Sequence, residues 1–399
     1  MRIVTLLLLL AAQFLVPSAA RGGELDIRGS VEMQARVFMD KPAWSGQDDQ
    51  AMQGSVILTT EFRWRSEEGD QRASLIPYLR WDGTDSERSL PDLKEAYWAA
   101  EGDDYEVLVG ANTVFWGVTE SVHLVDIINQ TDFAGDIDGE DKLGQPMASL
   151  TLQRDWGEVS AFAMPYFRER TFAGADGRFR SPLPVDSDDP LYESSAEENH
   201  VDLALRYSHY IGDIDIGLNV FSGTSREPRF VPSSSGQSLQ PIYDQINQFG
   251  VDLQYTSDAW LWKLEAIARD GYSQKFAATV GGFEYTLYQV GDSPADIGLL
   301  LEYQYDGRDH SEPVTFADND VFVGTRLAWN DVQDTTALAG VSYDVDTGET
   351  FVNVEAERRF GEDWFAELRV RVFSGAENDN SSYWLQQDDY VQLNVARHF

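Results

Sequence analysis

Apolar and polar residues alternate along almost the whole chain, in runs of about ten broken by stretches rich in Gly, Asp, Ser or Asn. In the first run Leu25, Ile27, Val31, Met33, Ala35 and Val37 face one way, and Asp26, Arg28, Ser30, Glu32, Gln34 and Arg36 the other. Successive side chains of a strand point to opposite faces, so this period of two predicts strands with one apolar side. The same phase returns at 56–65, 201–208, 260–269, 297–304 and 364–372, and blurs at 277–289 and 335–343, where Gly and Ala intrude. It closes at 390–399, where Val391, Leu393, Val395 and Phe399 oppose Gln392, Asn394, Ala396 and His398.

The breaks alternate in length. Short ones sit near 66–70, 101–104, 155–157, 211–213, 257–259, 291–296, 331–334 and 361–363. Longer ones lie between them at 39–54, 83–91, 116–146, 168–199, 224–247, 270–275, 307–318, 345–349 and 375–388. A soluble sandwich has no reason to sort its turns in this way, whereas a membrane barrel with short turns at one rim and long loops at the other requires it. The fold expected is all-β: a transmembrane antiparallel β-barrel of about 18 strands. The breaks at 270–275 and 345–349 are short for external loops, which leaves 16 strands open as well. Aromatics gather at the strand ends: Trp64, Trp156, Trp260, Trp329, Trp364 and Phe399 beside short turns, and Trp81, Phe115, Trp116 and Phe167 where strands enter long loops. Two interfacial belts are expected to look like this.

Residues 1–20 read as a secretory signal peptide: Arg2, an apolar run from Ile3 to Val16, then Pro17 and the small residues Ser18, Ala19 and Ala20. Residues 21–399 then form the barrel, and the chain has no cysteine. Its net charge is -38, and loss of Arg2 with the leader makes the mature chain one unit more acidic. Nucleic acid is not expected as a partner, because phosphate binding needs clustered Lys and Arg.

The terminal strand ending in Phe399 resembles that of outer-membrane β-barrel proteins of Gram-negative bacteria, although Arg397 departs from their usual third-last residue. The resemblance implies recognition by the barrel assembly machinery and residence among outer-membrane lipid and lipopolysaccharide. Phe115-Trp116-Gly117 followed by Asp126-Ile127-Ile128-Asn129 resembles barrels grouped as domain of unknown function 1302, with Gln130 in place of the usual Pro. Some of those relatives are linked with lipid or hydrophobic-compound transport.

If the apolar faces meet lipid, the polar faces line a lumen too wide for wall side chains to fill, which holds water or a plug. Lumen-lining candidates are Arg28, Arg36, Arg63, Arg65, Arg80, Arg206, Lys263, Arg269, Arg326, Arg369 and Arg371, with Asp26, Glu32, Glu61, Asp202, Glu265, Glu302 and Glu367 among them. Two readings stay open: ion pairs that brace the wall, or a basic strip that guides anionic or zwitterionic solutes. The break 116–146 is unusually aliphatic for a surface loop, with Val122, Leu124, Val125, Ile127 and Ile128 seeking burial. Folded inward, it would set Glu120, Asp126, Asp132, Asp136, Asp138, Glu140 and Asp141 across a constriction from the basic wall, creating a transverse field. Acidic clusters at 136–141, 186–189 and 344–349 suit solvated loops or, alternatively, Ca²⁺, though none has full EF-hand spacing. No other metal and no cofactor is expected. The five histidines lie near no catalytic motif, so an enzyme is not expected. The function expected is passive diffusion of small solutes, with a dedicated transporter of a lipid, hydrophobic compound or polysaccharide, a barrel enzyme and a surface-binding protein as alternatives. Oligomeric state is not legible.

Overall fold

The alternating runs build one closed wall. In the computed structural model, which describes residues 22–309, 311–375 and 382–399, eighteen strands pair antiparallel, each with its neighbours in sequence. The predicted leader, His310 and part of the loop expected at 375–388 lie outside the described residues. The first strand, Glu24–Phe38, pairs with Met52–Arg65 on one side and with the last, Tyr390–His398, on the other, in register from Ser30↔His398 to Phe38↔Tyr390. That seam closes the cylinder and leaves no free edge. At its end Gly29 exchanges two backbone hydrogen bonds with Phe399, at 2.9 and 3.0 Å, and a Cβ on Gly29 would meet the Phe399 ring.

Burial follows the sequence pattern inverted relative to a soluble domain. Met33 is 65% exposed and Leu203 54%, while Asp202 and Glu265 are fully buried. Apolar side chains face outward as lipid requires, and polar ones turn into the barrel. The connections sort into two rims: eight short turns, the shortest of two residues, and nine loops that include 113–144, 165–201 and 225–244. The short external breaks at 271–275 and 345–349 are true connections, so the count is 18.

The aromatic belts form only in part. Trp81, Trp156, Trp260, Trp329, Trp364 and Phe399 are exposed on the outer wall. Trp64 is instead buried beside Gly23, and Trp116 and Phe167 lie inside the barrel. Phe115 sets its ring edge-on to His123, 4.8 Å away, within the loop it opens. Phe115, Trp116 and Phe167 sit where strand gives way to inward-folded loop, so sequence position alone places them wrongly.

Candidate functional site: a strap across the barrel

The loop 113–144 does not stand outside. It folds into the barrel and crosses it, held by apolar packing at one end and by charge at the other. Val125, Ile127 and Ile128 pack with Trp116 against inward-facing Ala99, Leu108, Met147, Met164, Ala204, Phe221 and Ile267. The inner wall is therefore not uniformly polar, which corrects the expectation above. Ile267, for example, lies between Glu265 and Arg269 on the polar face of its strand, where it serves the loop rather than water.

Two wall carboxylates grip the strap's backbone. Glu265 accepts the N–H groups of Val118 and Thr119 at 2.7 and 3.1 Å, and Glu302 those of Glu120 and Ser121, both at 2.9 Å. Gly117 makes the approach possible: its φ is +149°, and a Cβ there would stand 3.0 Å from both Glu265 Oε1 and His123 Nδ1. Sequence reasoning placed Glu265 and Glu302 on the lumen face but missed this role, because nothing in a strand pattern marks a carboxylate as an acceptor for a distant loop.

At the far end the strap meets guanidinium groups. Arg80 pairs with Asp132 at 2.9 Å, with side chains only 2% and 0% exposed. Arg369 pairs with Asp136 at 2.8 Å and Arg371 with Asp138 at 3.2 Å, while Tyr390 donates its hydroxyl to Asp136 at 3.1 Å. Arg36 and Arg88 both donate to the Gly135 carbonyl. Burial opposes the Asp136 charge, but Arg36, Arg371 and Arg369 outweigh it and hold this carboxyl well below the usual carboxylate range. Glu120 takes Arg326, with Lys263 at 3.9 Å, and Asp126 takes Lys142 of the strap itself at 3.0 Å. Asp141 leaves its side chain exposed and gives only its carbonyl, to the Asp132 N–H. The expected transverse field across an open gap is thus corrected: most of these acids touch their cations, because pairing outweighs separation once the loop is inside. Of the other candidates, Arg206 pairs with Asp252 beneath the Trp116 ring. Arg28, Arg63 and Arg65 stand exposed near the short-turn rim, away from the strap.

His123 is a second cation carried by the strap itself. Its Nε2 donates to Glu140 at 3.1 Å and its Nδ1 lies 3.9 Å from Glu265. Burial works against the charge, yet the two carboxylates raise the imidazole from 6.5 to about 10. A raised pKa contributes stability that is complete below pH 6.5 and is lost as pH climbs through 10. Thermal unfolding of wild type against His123→Gln checks this: the wild-type advantage is expected to shrink steadily across that window, and parallel curves would contradict it.

A second layer covers the strap. Segment 165–201 carries Arg168 to Asp92 at 2.7 Å and Arg178 to Asp388 at 2.5 Å, and Phe179 packs on Phe38 and Tyr390. Loop 225–244 adds a small sheet in which Leu239–Tyr243 pairs with Arg229–Pro232 and Leu191–Tyr192. Beneath these loops and beside the strap lies a chamber of ≈ 190 Å³. Arg170, Arg226, Arg269 and Arg308 line it with Lys142 and His123. Arg269 and Arg308 share Glu227, Arg308 also holds Asp306, and Arg170 forms no ion pair among the described residues. Arg226 is held by Asp202, and Asp126, Asp138 and Glu140 line the chamber beside Glu227, so six basic side chains meet four acidic ones there. The sequence signal for this layer was four arginines, at 168, 170, 178 and 180, in a region otherwise acidic.

This arrangement has known counterparts in fold. The chain is an outer-membrane-type β-barrel. It superposes on Wzi of Escherichia coli, described as an outer membrane protein involved in group 1 capsule assembly and a carbohydrate-binding β-barrel, with TM-score 0.54 and 10% identity over 98% of this chain and 87% of that one. It also matches Pseudomonas aeruginosa OccK3 with TM-score 0.51 and 10% identity, covering 94% of this chain and 95% of that one. No protein-family model matches the chain. No curated protein matches it either.

Proposed function

We propose that the protein is a constricted diffusion channel of the Gram-negative outer membrane that passes small anionic solutes past its strap. The observation that carries the reading is the chamber, lined by six basic side chains against four acidic ones, where Arg170 forms no ion pair among the described residues and is left to attract an anion. The wall arginines closer to the strap brace it and are not free to guide a solute. In this reading export follows cleavage of the leader, the outer wall sits in lipid and lipopolysaccharide, and no reaction is catalysed.

Planar-bilayer recording of the refolded chain in a salt gradient tests it. Small discrete steps with an anion-selective reversal potential are expected, and Arg170→Ala is expected to move that potential toward zero. Silence from a correctly folded barrel, or cation selectivity, would sink the channel reading. The second reading is a closed barrel that binds glycan, favoured by the two loop layers over the lumen and by the fold shared with Wzi. Glycan binding by a silent barrel is its signature.

A further inference from the structure

Three carboxylates that do not line the chamber meet at the long-loop rim. Asp318 ends the loop 307–318, Asp320 is the second residue of the strand Asn319–Ala328, and Asp344 ends Thr336–Asp344 directly opposite Asp320. One oxygen of each lies within 4.8 Å of those of the other two. Asp320 and Asp344 are buried, at 4% and 3% exposure. Asp344 Oδ1 accepts the N–H groups of Asp346 and Thr347 at 2.8 and 2.7 Å. Asp320 Oδ2, in contrast, is buried with no hydrogen-bond partner. Buried carboxylate oxygens are nearly always partnered. Among the described residues no Lys or Arg forms an ion pair with any of the three, and Arg308 of the same loop is taken up by Asp306 and Glu227.

We propose that Asp318, Asp320 and Asp344 form a binding site for a divalent cation of the size of Ca²⁺. Three crowded carboxylates repel one another, and a hard cation turns that repulsion into attraction. With Ca–O near 2.4 Å, oxygens on opposite sides of the ion stand about 4.8 Å apart, so one central ion reaches all three. The exposed side of Asp318 leaves room for water to complete the shell. Mg²⁺, with bonds of about 2.1 Å and a strict octahedron, fits such a span less well. Of the acidic run 344–349, only Asp344 takes part. Asp346 accepts from Asn319 at 2.6 Å and Glu349 from Ser382 at 2.7 Å. The ion would fasten the loop 307–318 to the neighbouring hairpin.

Calorimetry of the refolded chain, stripped with EGTA and titrated with CaCl₂, tests this. One saturable site is expected, weakened by about tenfold or more in Asp320→Asn and in Asp318→Asn, and retained in Asp346→Asn. In EGTA, Asp320→Asn is expected to unfold no earlier than wild type, because it relieves crowding. That separates a lost site from a damaged fold, and Asp318→Asn, at an exposed position, stands in if Asp320→Asn does not refold. Equal Ca²⁺ binding by wild type and both variants, or uptake that never saturates, overturns the proposal.

Discussion

Replacing residues 121–141 with a short Gly-Ser linker should raise single-channel conductance several-fold and weaken ion selectivity. An 18-stranded wall cannot fill its interior with its own side chains, so whatever narrows this barrel must be its loops. The strap is the deepest of them. It is gripped by Glu265 and Glu302 on one side and by Arg36, Arg80, Arg369 and Arg371 on the other. The exchange also removes His123, Lys142's partner Asp126 and the acids at 132–141, so the chamber loses one of its walls. Bilayer recording reads the result directly. Conductance and selectivity unchanged from wild type would mean that the strap does not govern passage.

The second large effect concerns stability. Asp132→Ala strands the Arg80 guanidinium, 2% exposed, without its counter-charge, and such a loss costs about 3–5 kcal/mol. The Arg88 carbonyl, which accepts from Arg80 Nε at 2.7 Å, compensates only in part. Arg80→Met combined with Asp132→Leu removes both charges and is expected to recover most of the loss, because apolar replacement of a buried pair is often close to neutral. Denaturant unfolding of the two single variants and the double in lipid vesicles gives the coupling. Additive losses would show that the pair does not latch the strap.

The wall was legible because lipid imposes a strict rule on every strand. Outward positions such as Met33, Leu203 and Leu393 must be apolar, and turns must sort by rim, so period and spacing carried the facing of the strands and a count of about 18. The inward face obeys no such rule. Ile267 and Arg269 lie two residues apart on the same face, one packing the strap and the other holding Glu227, and no local pattern separates those tasks. The strap itself announced its burial through Val125, Ile127 and Ile128. Its partners did not, because Asp132 and Arg80 are brought together by tertiary packing across 52 positions of sequence. The proposed cation site was half visible: Asp344 belonged to an acidic run, but Asp318 at the end of another loop and Asp320 in the strand that follows joined it through strand register.

The seam between Glu24–Phe38 and Tyr390–His398 also dictates an order of assembly. Every other pairing in the wall joins sequence neighbours across a single connection, while the seam joins the two ends of the chain. Closure entropy makes so distant a contact the last to form. Until then the wall is a curled ribbon with two open edges, each able to recruit a foreign strand. The strap reaches both of those edges, through Arg36 and Arg80 near one and through Arg369, Arg371 and Tyr390 at the other. The same ion pairs that fill the finished barrel would act earlier as a splint, holding the margins in register while the final ladder zips.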